Sequence, residues 1–294
     1  MYIFIPILVL VYFMNNHRIL LLASILLMFT AFTVEAGTRV IIEVEIIKGD
    51  NIEKSNEIIT FDENRFRIDF PDTGKEVTDQ TSYIMSVNSG DNWVIGDKPK
   101  DRFYCTEMRT EAFFKSLGEQ FTDALEFFNV TAESPTIKKI LEEPGPEIQG
   151  YKTTHIQLET NARAYAWFLF IKFEYSVKVI DDLWYTTELD IHPVKKKWLN
   201  ALTQSGNSLI DQMFADYTAN LPGPILKQDS VIDITNVRKN ETKTQKQHSV
   251  IKSVEEIKAS ELDKIFKMPE CEAMDDDEVQ EKGKALFSKE KIML

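Results

Sequence analysis

Three histidines, His155, His192 and His248, are the first residues to test for catalysis or metal binding. None has a second histidine at a spacing that brings two imidazoles to one metal, and no His-Glu-x-x-His helix is present. A hydrolase would need His155 or His192 beside a nucleophile and an acid. The chain has no Gly-x-Ser-x-Gly turn to present such a serine. Glu107, Asp181, Asp182, Glu188 and Asp190 could pair as acid and base. Each falls near an expected turn or strand end, where solvated carboxylates are ordinary. His155 is expected on the solvent face of a strand, His192 just ahead of a helix at Pro193, and His248 at a strand start beside a polar tip. There is no phosphate-binding or dinucleotide-binding glycine loop. The acidic run Asp275-Asp276-Asp277-Glu278 lacks the spaced oxygen ligands and central glycine of a calcium loop. The expectation is no enzymatic activity: no catalytic residue, no metal and no cofactor.

The compartment is more legible. Residues 19–32 form an apolar, uncharged run with His17 and Arg18 before it and Val34-Glu35-Ala36 after it, the pattern of an export signal cut after Ala36. A second apolar stretch, residues 2–14, has no basic residue in front of it, which suggests a true start at Met14. The two runs are each shorter than a usual membrane span. The rest of the chain is then periplasmic or otherwise extracytoplasmic, and soluble once the signal is removed. The first 36 residues hold one base (Arg18) and one acid (Glu35), so the remainder keeps the formal net charge of −13. That balance argues against nucleic acid and against anionic lipid head groups. Cys105 and Cys271 are the two cysteines. An exported compartment permits a disulfide, and their spacing leaves open whether they are bridged. Asn129-Val130-Thr131 and Asn240-Glu241-Thr242 match the glycosylation acceptor pattern, which matters only in a eukaryotic secretory pathway.

The elements that would position any site are mostly strands. Residues 38–47 alternate with Val40, Ile42, Val44 and Ile46 on one face. Residues 57–61 return as a partner. Phe66, Ile68 and Phe70 alternate with Arg65, Arg67 and Asp69, the cleanest period-two pattern in the chain. Short strands follow at 83–87, 92–95 and 102–108. A helix is expected over 110–128, with Phe114, Leu117, Phe121, Leu125 and Phe128 in one stripe. Strands resume at 151–158 and 164–179, with a turn at Asp181-Asp182 leading into 183–189. A second helix after Pro193 carries Trp198, Leu202, Leu209, Met213 and Tyr217, with Gly206 weakening its middle. Strands at 225–237 and 247–257 flank an exposed tip at 238–245. The division is a signal over 1–36, one β-rich domain over 37–269 and an acidic mobile tail over 270–294.

Several of these segments, taken in order, resemble a widespread family of exported bacterial proteins of unknown function. The carriers are residues 83–87, Asn92-Trp93-Val94-Ile95, the aromatic-x-x-x-Met strand Tyr104-Cys105-Thr106-Glu107-Met108, Gly150-Tyr151-Lys152-Thr153-Thr154, Leu183-Trp184-Tyr185, Leu221-Pro222-Gly223-Pro224-Ile225-Leu226 and Ile265-Phe266-Lys267-Met268-Pro269. They span most of 37–269. The chain departs from the pattern at Glu270-Cys271-Glu272, where the family closes with Gly-Tyr, and in the length of its 110–128 helix. That family is similar in layout to the LolA-like superfamily. The resemblance implies an α+β fold: a curved, mostly antiparallel sheet, a half-open barrel, covered by two amphipathic helices. Several members of that superfamily carry acyl chains or lipidated proteins across the periplasm.

A curved sheet with one apolar face must cover it, and a loosely covered face becomes an apolar cavity. The expected lining residues are Phe66, Phe70, Trp93, Phe114, Phe121, Trp167, Phe170, Phe173, Trp184 and Trp198, and the expected partner is a lipid, an acyl chain or a lipidated protein. The bland reading of these aromatics is a packed core. The alternative functions are an envelope protein–protein interaction module without a small ligand, and an undetected hydrolase. The compartment is directly testable. N-terminal sequencing of the mature protein is expected to begin at Gly37, and a membrane-bound protein retaining residues 19–36 would overturn the export reading.

Overall fold

Alternating apolar and polar residues build the first strand of the computed structural model, β1 (Gly37–Lys48), which buries Val40, Ile42, Val44 and Ile46. The structure describes residues 37–71, 81–86, 88–97, 104–127, 129–168, 171–189, 191–268 and 271–273. Gly49, at φ +58°, turns the chain into β2 (Asn51–Phe61). A meander follows: β3 (Phe66–Phe70), β4 (Ser82–Ser86), β5 (Asn92–Asp97) and β6 (Tyr104–Arg109). Helix α1 (Thr110–Phe127) then leads to β7 (Val130–Ala132), β8 (Thr136–Pro144) and the long hairpin β9 (Thr154–Phe168) and β10 (Ile171–Tyr185). Helices α2 (Pro193–Leu202) and α3 (Ser208–Ala219) precede the hairpin β11 (Ile225–Asn236) and β12 (Glu241–Ile257). Helix α4 (Ala259–Ile265) and the two-residue β13 (Glu272–Ala273) complete the described chain.

The strands form one α+β-type sheet in the order β13-β6-β5-β4-β3-β2-β1-β12-β11-β10-β9-β7, with β8 also pairing β9. Every pairing is antiparallel except that of β13 with β6. The sheet is open: β6–β13 and β7–β8 lie at opposite ends of the order.

Period-two alternation sends a main core to the inner face, beneath α1, α2 and α3. There Ile42, Ile59, Phe66, Ile68, Trp93, Met108, Ile156, Leu158 and Leu183 meet Phe114, Trp198 and Phe214. The opposite parity of β4 and β5 places Tyr83, Met85 and Val94 on the outer face, in a second cluster with Ile257, Leu262 and Phe266. Helix α4 closes that end. A Cβ on Gly37 would lie 2.3 Å from Leu262 Cδ2, so glycine lets α4 sit against β1. Arg39 pairs with Glu261 at 2.9 Å, and the Arg67 guanidinium donates to the Ile265 carbonyl at 2.8 Å.

Several sequence expectations are corrected. Residues 164–179 are not one strand but the two arms of the β9–β10 hairpin, with Tyr165 opposite Glu174. No glycine, proline or asparagine marks the reversal between Phe168 and Ile171, so the pattern reads straight through it. Asp181 and Asp182 consequently lie inside β10 rather than in a turn. The helix after Pro193 is two helices. Gly206 takes φ +82°, and the Asn207 side chain caps α3 by accepting from the backbone N–H groups of Leu209 and Ile210. The tip at 238–245 is shorter than expected, because β12 starts at Glu241. β7, β8, α4 and β13 have no counterpart in the sequence reading, which takes 270–294 as a mobile tail. The 110–128 helix is present through Phe127, whereas the signal, Asp190 and the acidic run at 275–278 lie outside the described residues.

The cysteine question is answered: Cys105 on β6 is bridged to Cys271, whose Cα is 4.8 Å away. The bridge fastens the segment after α4 to an edge strand across a separation of 166 residues. A double Cys105→Ser, Cys271→Ser variant is expected to lose about 2–5 kcal/mol of unfolding free energy in urea denaturation. An unchanged midpoint would show that the C-terminal segment holds without it.

Candidate functional site

The inner face is organised by the start of α2. Pro193 occupies the first helical turn, and His192 ahead of it caps the helix. His192 Nδ1 accepts from the Val194 N–H at 3.3 Å, and Nε2 donates to the Asp62 carbonyl at 2.5 Å. The ring lies 5.3 Å from both Phe61 and Phe66. Burial pushes the His192 pKa below the usual imidazole value. Further along α2, Trp198 meets Phe66 edge-on at 5.2 Å and Trp93 at 4.3 Å. Trp93 in turn stacks on Phe113 at 4.7 Å and meets Phe114 edge-on at 5.1 Å, both from α1.

The ten expected lining residues therefore separate. Phe66, Trp93, Phe114 and Trp198 come together as a fully buried aromatic core. Phe70 is half-buried and packs against that core. Phe121 on α1 and Phe173 on β10 are half-buried. Trp184 and Trp167 have the parity of the outer face: their neighbours Leu183, Tyr185 and Ala166 are the buried ones. Phe170 lies outside the described residues.

Sequence reading missed a buried polar row on the inner face. Asp181, Ser230 and Gln247 are cross-strand neighbours on β10, β11 and β12, with Gln228 and Ser249 beside them, all buried. Ser230 Oγ donates to Asp181 Oδ1 at 2.5 Å, and Gln228 Nε2 donates to the same oxygen at 3.4 Å. Desolvation pushes the Asp181 pKa up to about 6, against the pull of those two donors. Tyr217 of α3 is buried as well, and burial with the Asp181 charge raises its phenol far above the usual value. A partial signal was present in the sequence: Gln228 and Ser230 share the face of β11 that carries Ile232 and Ile234, whereas β12 is polar along most of its length and marks no exception at Gln247 and Ser249. Glu57 on β2 is fully buried, neither carboxyl oxygen has a hydrogen-bond partner, and burial raises its pKa well above the carboxylate range.

The outer face of β8–β12 is polar. His155 stacks flat on Trp184 at 4.6 Å, and Lys227 Nζ sits 3.9 Å from the centre of the same indole. His155 Nε2 lies 2.8 Å from Asp182 and Nδ1 lies 3.3 Å from Glu143. Carboxylates thus occupy both ring nitrogens of His155, backbone groups occupy both of His192, and His248 Nδ1 meets Asp229. Neither His155 nor His192 has a hydroxyl among its hydrogen-bond partners in the described residues, the contact a hydrolytic base makes to its nucleophile. Among the described residues no three His, Cys, Asp or Glu side chains converge as a metal-ligand set, and no helix is long and apolar enough to cross a membrane.

No family model and no curated protein matches the chain. Among solved structures it is similar to PNGF-II, with a TM-score of 0.35 and 13% identity over 83% of this chain; the match spans 33% of that chain, about a third of its length. It is similar to a LolA superfamily protein from Nitrosomonas europaea, with a TM-score of 0.26 and 9% identity over 84% of this chain and 97% of that one. A DUF1329 family protein from Desulfovibrio piger gives a TM-score of 0.25 and 6% identity over 76% and 87% of the two chains.

Asp181 yields a pH prediction. Its folded pKa is raised, so the native state binds its proton more tightly than the unfolded chain. The stabilisation is fully present below about pH 4 and is lost as pH rises through 6. The shift corresponds to about 3 kcal/mol. Asp181→Asn is therefore expected to gain stability over the native protein at pH 7.5 and to lose that advantage at pH 4. Urea denaturation at both values checks it, and an equal offset at the two would contradict it.

Proposed function

We propose that the protein is an extracytoplasmic binding or carrier protein, without enzymatic activity, that holds an apolar ligand, an acyl chain or a lipidated partner between a bent sheet and its helices. The supporting observation is that α1 connects the two ends of the sheet. It begins directly after β6 and is followed, two residues on, by β7. Ten strand spacings separate β6 from β7 in the sheet order, which is about 48 Å if the sheet were flat. The 18 residues of α1 reach about 27 Å. The link to β7 adds at most about 11 Å. The connection is too short for a flat sheet, so we infer that the strands bend toward the helices as a half-open barrel does.

Among the described residues, an apolar stretch of the inner face is left half-covered. The first half of α1 is seated in the core through Phe113, Phe114 and Leu117. In its second half Phe121 and Leu125 are only half-buried. Phe173, Val177, Val179 and Ile234, inner-face residues toward the far ends of β10 and β11, are half-buried too. A chain of methylenes laid along these side chains would gain about 0.8 kcal/mol for each buried CH₂. The Cys105–Cys271 bridge supports an oxidising compartment outside the cytosol.

A fluorescent acyl probe titrated into the purified protein tests the reading. Saturable binding is expected, lost in Val177→Asp and Ile234→Asp. Phe121→Ala is expected to alter uptake at a small stability cost, whereas Phe114→Ala costs about 3–5 kcal/mol as a packed-core truncation. No probe binding, with Phe121→Ala as costly as Phe114→Ala, would rule for a plain core.

A further inference from the structure

A groove of about 600 Å³ opens on the outer face, at the end of the sheet where β7 gives way to β8. One cross-strand row across β9, β10, β11 and β12 lines it: Arg163, Ser176, Thr235 and Thr242. Three of the four are hydroxyls, each able to donate and to accept. Four charged residues line the groove, and they balance. Arg163 and Lys178 are set against Glu133 and Asp233. Lys178 is already paired with Glu159 at 2.8 Å, and Asp233 accepts from Thr244 at 2.5 Å. Arg163 is exposed; its guanidinium hydrogen-bonds the Tyr165 hydroxyl, and among the described residues no carboxylate lies within ion-pair distance of it. Thr235 and Thr242 share a hydrogen bond at 2.8 Å, whereas Ser176 Oγ has no hydrogen-bond partner among the described residues.

An aromatic end adjoins this polar floor. The next outer-face residues along β9 are Tyr165 and Trp167. The Tyr165 hydroxyl donates to Glu133 at 2.6 Å, which ties the ring to the groove wall. Trp167 is 47% exposed, an unusual state for so large an apolar ring. It stands four residues from Arg163, about 13 Å along the strand.

We propose that this groove binds a neutral oligosaccharide. A ligand of net charge gains nothing from a balanced groove, and an apolar one would strand the charges. A sugar presents hydroxyls that donate and accept in alternation, which matches Arg163 and the row of floor hydroxyls. Its ring also has an apolar C–H face that packs on an exposed indole such as Trp167. The reading does not rest on the apolar region of the inner face: Arg163, Ser176, Thr235 and Thr242 have outer-face parity, and Val177, which belongs to that region, borders the groove as well.

An array of neutral and acidic oligosaccharides, probed with the purified protein and followed by calorimetric titration of the sugars that bind, tests the proposal. Neutral oligosaccharides are expected to bind, and Arg163→Ala and Trp167→Ala are each expected to weaken them about tenfold or more. Thr242→Trp, a substitution at the exposed end of the floor row, is expected to block binding while circular dichroism stays native. Three results would overturn the proposal. One is the absence of any neutral oligosaccharide above background. Another is binding that all three variants leave unchanged. The third is binding confined to acidic sugars and inorganic sulfate and lost in Arg163→Ala, which would make the groove an anion site.

Discussion

The contact between Trp93 and Trp198 joins the helices to the sheet. Trp93 belongs to β5 and Trp198 to α2, and their rings lie 4.3 Å apart with Phe66 and Phe114 against them. Helices of 10, 18 and 12 residues are marginal or unstable alone and hold their shape by packing an apolar face. This joint supplies that face for two of the three at once, and each aromatic pair adds about 0.5–1.5 kcal/mol beyond its buried area. Neither indole N–H has a hydrogen-bond acceptor. Leaving those two donors unsatisfied costs of order 1–3 kcal/mol each, set against the packing of the rings.

The same inner face buries groups that work against folding. Lys195 lies one turn before Trp198, and burial pulls its pKa well below the ordinary lysine value. Glu57 and Asp181 are shifted the other way, toward the neutral acid. All three follow from secondary-structure periodicity: a residue at a core-parity position is carried inside whatever its chemistry. Asp181 has hydrogen-bond donors from neighbouring strands to soften that cost, whereas Glu57 has none.

The two ends of the sheet are finished differently. At the β4–β6 end both faces are covered, the inner one by α1 and α2 and the outer one by the α4 cluster. The Cys105–Cys271 bridge holds the C-terminal segment there. At the β8–β12 end the outer face is built of charges that pair across strands, as Lys178 does with Glu159, or along one strand, as Lys227 does with Asp229 on β11. That polarity suits a face in water, and it is why Trp184 is sandwiched between His155 and Lys227 rather than packed in the core.

Local pattern alone determined much of the scaffold. The alternation in residues 38–47 and 66–70 specifies strands and says which residues point inward, because side chains in a strand can only alternate. The stripe from Phe114 to Leu125 specifies a helix for the same kind of reason, and the burial of Phe66, Trp93, Phe114 and Trp198 follows from those periods. What needed the third dimension is everything set by partners distant in sequence. Trp184 and Trp167 read as lining residues, yet strand register sends them outward, since one step of parity exchanges the two faces. The hairpin between β9 and β10 carries no turn residues, so only pairing reveals it. The Asp181–Ser230–Gln228 row joins residues 47 and 49 positions apart. The bridge between Cys105 and Cys271 depends on a Cα separation that spacing along the chain does not encode.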